Sequence, residues 1–508
     1  MSTALTIPVW HDGLPHDSSF FDNTDAPDAM QDVVVIGAGI AGLTTAVELA
    51  RAGRRVLVIE REGIGAGETL RTTAHLASAL DDRFHVLARH HGREGARLAA
   101  ASHAAAIDWI EALAAGGPDC DFQRIPGYLF PHTDDDSVIR QECEAAREAG
   151  LDVELVARVE PLQLRGPLLR FEGQARVDIA RYMHRLAEEA RDAGCRFHRA
   201  EVTAVEGATV PTVRLGATTL RASVVVVATN VPFHGTTATF HKQAPYRSFV
   251  VAGEIEPDAV PDALYWDDGD PYHYVRLHEH PDGRTLLLVG GCDHKTGQQD
   301  DPEVYVRLQA WARAHFPAVG RFTHAWSGQV LEPADGLGLI GADPANENVY
   351  LITGDSGNGI THGTLGGLLV ADLVQGRENP WAALYDPKRT PLRSGGEWAR
   401  ENANVALQFR DWVRPAAVDD VDSIPRGCGA VLRRGVHRIA VYRAGDDTLH
   451  AHNARCPHMG CVVHWSTEEK SWDCPCHGSR FEAKTGAILN GPTDKPLAPF
   501  PLDDEGRL

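Results

Sequence analysis

Asp32-Val33-Val34-Val35-Ile36-Gly37-Ala38-Gly39-Ile40-Ala41-Gly42 is the stretch that decides the fold. Val33 to Ile36 form a continuous apolar run, the pattern of a strand buried on both faces. Leu43 to Ala52 then reads as a helix that Gly53 ends, and Val56 to Ile59 as a second strand closing on Glu60. Strand, GxGxxG, helix, strand and acid stand in the order that a dinucleotide requires. The glycines let backbone amides approach a pyrophosphate at the positive helix N-terminus, and the acid accepts hydrogen bonds from a ribose. A glycine turn that merely packed a helix on a strand would leave Glu60 unexplained. Gly37, Gly39, Gly42 and Glu60 are therefore candidate nucleotide-binding residues.

From this unit to about residue 393 the chain mixes strand-like runs (Val56 to Glu60, Ser223 to Thr229, Thr285 to Val289, Val349 to Thr353) with helical stretches (Arg97 to Ala115, Arg181 to Ala193). That alternation implies an α/β, Rossmann-like nucleotide domain over 31–393 with a sheet-rich substrate domain inserted in it. Residues 1–30, rich in Asp, Pro and Ser, read as an N-terminal arm. Residues 394–418 read as a linker whose amphipathic stretch, Trp398 to Val413, forms a helix. Beyond, over 419–508, short strands alternate with Gly and Pro turns, as in a separate all-β domain.

A net charge of −21 argues against nucleic-acid binding, which needs Lys and Arg to neutralise phosphates. Small molecules and electron carriers are the expected partners. No apolar run approaches the ~18 residues of a membrane span, and the first residues lack a basic segment followed by an apolar one. A cytoplasmic location is expected. Of nine cysteines, Cys120, Cys143, Cys195, Cys292 and Cys428 are scattered, as small buried hydrophobes are. Cys456, Cys461, Cys474 and Cys476 are clustered and need a chemical reason.

Three further segments of the first domain resemble the D-amino-acid-oxidase-like FAD oxidoreductases. Val225 to Asn230 is similar to that family's strand and turn beside the cofactor, and Pro333-Ala334-Asp335-Gly336-Leu337-Gly338-Leu339-Ile340-Gly341 to its "pDGlPiiG" segment, with Gly338 where Pro is usual. Gly354 to Thr361, followed by Gly366 and Gly367, resembles the closing loop and helix that hold the flavin. The resemblance implies FAD, and adds Arg61, Thr69, Thr229, Gly354, Gly357, Gly359, Ile360 and Thr361 to its expected binding residues. It also implies that Gly65 to His75 runs along the flavin ring, which makes Arg71 and His75 candidate catalytic residues. Arg71 could stabilise negative charge on reduced flavin. The chemistry implied is hydride transfer from a C–H next to nitrogen in an amine or amino acid. Arg247, whose fork suits a carboxylate, is the leading candidate for gripping substrate, with Tyr246, His294, Lys295 and Trp326 behind it.

Cys456-Pro457-His458-Met459-Gly460-Cys461 and Cys474-Pro475-Cys476-His477-Gly478-Ser479 present two cysteines and two histidines in the pattern of a Rieske [2Fe-2S] centre. Tetrahedral zinc would leave two cysteines and the Gly-Ser end of the second box unexplained. The boxes resemble the Rieske proteins of respiratory and photosynthetic cytochrome complexes. That resemblance implies Cys456, His458, Cys474 and His477 as ligands of one cluster, and a disulfide between Cys461 and Cys476. No facial-triad motif for a second iron accompanies them. The whole chain resembles bacterial FAD oxidoreductases with a C-terminal Rieske domain. The expected function is oxidation of an amine or amino-acid-like substrate, with electrons passing from flavin through the cluster to a soluble one-electron carrier. Two alternatives are reversed flow, in which a ferredoxin or reductase feeds the cluster and thence the flavin, and a non-catalytic redox sensor.

Overall fold

The computed structural model describes residues 7–12, 20–21, 28–232, 237–390, 393–415, 418 and 420–502. Much of the expected arm, 1–30, and part of the linker, 394–418, lie outside them. The described part of the arm docks on the body: Val9 and Trp10 are buried, and the Trp10 indole donates to the Thr72 carbonyl at 2.7 Å.

The first sheet has the expected parallel centre. Strand Met30–Ile36 lies between Val56–Glu60 and Thr218–Val227, and Val33 to Ile36 pair in register with Val56 to Ile59 on one side and Val224 to Val227 on the other. Val349–Thr353 and Arg196–Arg199 extend it in parallel. Branched residues on both faces of these strands suit a sheet covered on both sides. Helix Ile40–Arg51 covers one face and is itself crossed by helix Gly359–Val374. The crossing depends on missing side chains: a Cβ on Gly363 would lie 2.5 Å from Ile40 Cγ2, and one on Gly367 2.7 Å from Thr44 Cβ.

A second, nine-stranded sheet forms the inserted part. Its order runs Phe322–Pro333, Gln243–Ile255, Thr285–Lys295, His273–Glu279, Leu264–Asp267, Gln123–Phe130, Leu168–Arg176 and His75–Leu76, with Val153–Val156 paired to Leu168–Arg176. One core joins both sheets, from Val33 and Leu43 through Leu288 to Trp326. Helix Gly395–Gln408, continued by a turn at Phe409–Trp412, replaces the expected Trp398 to Val413 helix. It buries none of its own residues, yet Val405 and Trp412 pack on the C-terminal core. That last part is all β: a three-stranded sheet from Cys428 to Asn453 and a four-stranded one from His464 to Asn490. No described helix is long and apolar enough to cross a membrane.

Because the Gly367 crossing has no room for a side chain, Gly367→Val is expected to cost about 1–3 kcal/mol by overpacking. A lowered thermal midpoint would show it. An unchanged midpoint would mean that the two helices can separate freely.

Candidate active site

A cavity of about 340 Å³ lies between the two sheets, and the C-terminal domain supplies part of its wall. At one end are the glycine turn and Glu60. Gly37 has φ +106°, and a Cβ there would meet the Ala228 carbonyl oxygen at 2.5 Å, so only glycine fits. Glu60 accepts from the amides of Ala38 and Glu62, each at 2.8 Å. The Thr69 hydroxyl accepts from the Ile40 amide at 3.2 Å, in place of a side-chain cap that Gly39 cannot offer. Helix Gly359–Val374 also opens on the cavity, through Gly357, Asn358, Gly359 and Ile360. Two positive helix ends thus face one space, an arrangement suited to anionic groups.

The other end rests on the nine-stranded sheet. Ser248, Val250, Trp266, Tyr272 and Tyr274 line it, together with His75 and Asp81. The Tyr272 hydroxyl donates to Asp81 Oδ2 at 2.6 Å, and the hydroxyls of Ser248 and Tyr274 are 2.6 Å apart. His75 sits edge-on to Tyr274, with ring centroids 5.5 Å apart. Its Nδ1 contacts the Thr73 hydroxyl at 2.9 Å and its Nε2 the Val275 carbonyl at 3.3 Å. Burial and then the nearby Arg276 charge push its pKa down to about 3, so the ring is neutral. Burial lifts the Asp355 carboxyl to about 7 and also raises Asp81.

The clustered cysteines sit in two matching loops. In each, the first cysteine amide donates to the residue five positions on: Cys456 to the Cys461 carbonyl and Cys474 to the Ser479 carbonyl, both at 2.8 Å. Gly460 and Gly478, at φ +83° and +74°, close the turns. Cys461 and Cys476 form a disulfide, so their sulfurs are spent although they lie near Cys474. That leaves the thiols of Cys456 and Cys474 and the imidazoles of His458 and His477, whose centroids are 5.0 Å apart. His458 Nδ1 and both His477 ring nitrogens are buried without a hydrogen-bond partner. Burial lowers the pKa of both rings, His477 to about 3, which keeps their lone pairs available. Backbone amides of His458, Met459, Cys476 and His477 point at the two thiols.

Between loops and cavity lies a buried ion cluster. Glu469 of the C-terminal domain meets Arg480 at 3.2 Å, Arg247 at 3.3 Å and Arg71 at 3.8 Å, and accepts from the Ser327 hydroxyl. Its side chain is 6% exposed. Burial would raise its pKa, but Arg247, Arg480 and Arg71 outweigh that and hold it at about 2. Nearby, Asn490 donates to Glu68 at 2.7 Å, Arg61 to the Leu489 carbonyl at 3.2 Å, and Gln329, on the cavity wall, to the Gly478 carbonyl at 3.0 Å.

A family model described as FAD dependent oxidoreductase matches residues 32–373. The chain belongs to that family. A second model, the Rieske [2Fe-2S] domain, matches residues 411–501, beginning inside the linker expected at 394–418. YhfW of Bacillus subtilis (strain 168), named for a Rieske 2Fe-2S iron-sulfur protein, is 29% identical over 482 residues, covering 93% of this chain and 94% of that one. The cytochrome b6-f complex iron-sulfur subunit 1 of Trichormus variabilis is 30% identical over 141 residues, 28% of this chain and 73% of its own. Among solved structures, glycine oxidase from Geobacillus kaustophilus has a TM-score of 0.60 at 20% identity, over 71% of this chain and 99% of its own. L-proline dehydrogenase from P. horikoshii has 0.58 at 19%, over 71% and 97%. These two share the fold of the first domain.

The residues present fit both family cofactors. A glycine cradle, Glu60 and two helix ends suit FAD, and two thiols facing two orphaned imidazoles suit a [2Fe-2S] cluster. Of the other expected flavin contacts, Arg61, Thr69, Thr229, Gly357, Gly359 and Ile360 line the cavity. Gly42 serves packing, since its Cβ would overlap the Gly37 carbonyl oxygen. Thr361 turns its hydroxyl to His103 at 2.8 Å, and Gly354 packs on Pro333. Arg71 and His75 face the cavity, but Arg71 also donates to the Ser327 carbonyl at 2.9 Å. Arg247 grips a carboxylate, that of Glu469, and does not line the cavity; nor do Tyr246, His294, Lys295 or Trp326. Sequence reasoning missed Asp81, Tyr272, Tyr274 and Gln329, single residues in otherwise ordinary strands and loops.

Two variants test this geometry. Glu469→Gln would leave Arg247 buried without its ion-pair partner, while Arg480 keeps Asp473, at a cost of about 3–5 kcal/mol. Faster proteolysis within 394–415 should report it, and wild-type resistance would contradict the assigned role. Since the Glu469 pKa is depressed on folding, its stabilisation holds above the ordinary Glu range and fades as pH falls toward about 2. Separately, Cys461→Ser should retain iron in a less stable domain, while Cys456→Ser should lose it. Equal iron loss would overturn the division between disulfide and ligands.

Proposed function

We propose that the chain oxidises a small amine or amino-acid-like substrate at a C–H bond next to nitrogen, and that the electrons leave through the Rieske centre to a soluble one-electron carrier. When bound, FAD takes up two electrons as a hydride and the cluster passes them on singly. Glycine oxidase and L-proline dehydrogenase share the fold, and the sheet end of the cavity offers the orienting hydroxyls and aromatic faces that such a substrate needs. In this reading Glu60 holds the ribose, the Gly37 and Gly39 turn the pyrophosphate, and Thr69 with Gly357, Gly359 and Ile360 the flavin. Cys456 and Cys474 bind one iron, His458 and His477 the other. Residues 31–393 and 419–508 act as two modules joined by 394–418. The unpaired, buried Cys120, Cys143 and Cys195 suit a cytoplasmic setting.

The observation that supports electron exchange between the two sites is where the cluster loop sits. Gln329 lines the cavity and bonds Gly478, the residue next to His477. The imidazoles face the same module: His477 lies 5.8 Å from the His241 ring and His458 5.3 Å from that of Phe240. A one-electron centre held against a two-electron site supports exchange between them, and the raised potential of a histidine-ligated cluster favours flow from flavin to cluster.

Anaerobic rapid mixing with an amine panel is expected to bleach the flavin before the Rieske paramagnetic signal appears. His477→Ala should still bleach but fail to reduce a one-electron acceptor. A cluster reduced first, or oxidised throughout turnover, would overturn the proposal.

A further inference from the structure

The charges around the sheet end of the cavity point to one sign of ligand. Asp81, Asp355 and Glu68 line the cavity. Asp293 stands directly behind Ser248, with its Oδ1 buried and without a hydrogen-bond partner. Among the described residues the only Lys or Arg side chains lining the cavity are Arg61 and Arg71. Arg61 is held at the rim by the Leu489 carbonyl, Glu62 and Glu201, and Arg71 by the Ser327 carbonyl and Glu469. Arg247, the guanidinium best suited to a carboxylate, pairs with Glu469 and does not line the cavity. His75 is neutral.

We infer that the substrate end of this cavity recognises an ammonium group, seated between the Asp81 carboxylate and the faces of Tyr272 and Tyr274, and that it has no clamp for a substrate carboxylate. The inference rests on the reading of the cavity as a flavin and substrate site, and narrows its substrate class to amines without a neighbouring carboxylate. Tyr272 and Tyr274 have ring centroids 5.6 Å apart and tilted, and Trp266 adds a third aromatic wall. Aromatic faces attract alkylammonium ions, and do so more strongly when water is excluded. A carboxylate entering the same space would meet Asp81, Asp355 and Glu68 at low dielectric, where like charges repel most. Burial raises the pKa of Asp81, Asp293 and Asp355; the Asp81 charge adds to it at Asp293 and at Asp355, whereas the Tyr272 hydroxyl and Arg83 oppose it at Asp81.

The test uses the FAD-loaded, cluster-bearing full chain and three probes of one chain length: hexylamine, hexyltrimethylammonium and hexanoate. Binding is read from the shift of the flavin absorbance bands, and oxidation from anaerobic bleaching. Both cations should perturb the flavin spectrum at concentrations at which hexanoate does not. Asp81→Asn should weaken both cations by about tenfold or more, as loss of one partner of a desolvated ion pair does, with FAD content and cluster signal unchanged. Should that variant lose FAD, the wild-type comparison of cation with anion still decides. Hexanoate binding as well as the cations, or amino acids bleaching the flavin while neither cation binds, would overturn the inference and leave amine oxidation standing. If the quaternary cation binds and no amine or amino acid bleaches, the recognition stands and the proposed activity fails.

Discussion

The Glu469 carboxylate is the contact on which the arrangement of this molecule depends. It is buried, and it is met by guanidinium groups from three places: Arg71 in the segment beside the glycine turn, Arg247 in the nine-stranded sheet, and Arg480 in the Rieske domain. A carboxylate removed from water is costly unless its lone pairs are matched by charge and hydrogen bonds. Here the match requires both modules in one relative position. Arg247 cannot turn to a substrate without giving up its ion pair with the buried Glu469 carboxylate.

That docking has two consequences for the redox sites. The turn from Ile488 to Asp494 becomes part of the cavity wall, so the Rieske domain completes the space in which its neighbour works. The histidine edge of the cluster loops is turned toward Phe240, His241 and the Gln329 side chain. The two sites are thereby built as one unit. The charge taken up by the interface also sets what remains in the cavity: with Arg71 and Arg247 committed, carboxylates and phenols dominate its sheet end.

What was legible in the sequence was local. Strand, glycine turn, helix and Glu60 are contiguous, and their spacing alone encodes the nucleotide end of the site. The cysteine and histidine boxes are equally short-range, and the Cys461–Cys476 pairing implied by resemblance is present. The substrate end was not legible, because it is assembled from unconnected strands whose pairing no local pattern reveals. Tyr274 belongs to the strand His273–Glu279, Tyr272 stands just before it, and Asp81 lies in a loop after His75. Arg247, whose fork suits a carboxylate, meets that of Glu469, a partner too distant in sequence for a local pattern to reveal. Trp10, set in a segment whose composition suggests a loose arm, closes against Thr72 because its ring finds an apolar seat there and its N–H a carbonyl.

The central claim is that flavin and cluster exchange electrons within one chain across a docked interface. The most direct measurement is the rate at which the Rieske signal appears after the flavin is reduced, followed anaerobically across a wide range of protein concentration. Docking as described predicts a rate independent of concentration. A rate proportional to protein concentration would show that electrons pass between molecules, and would contradict the account.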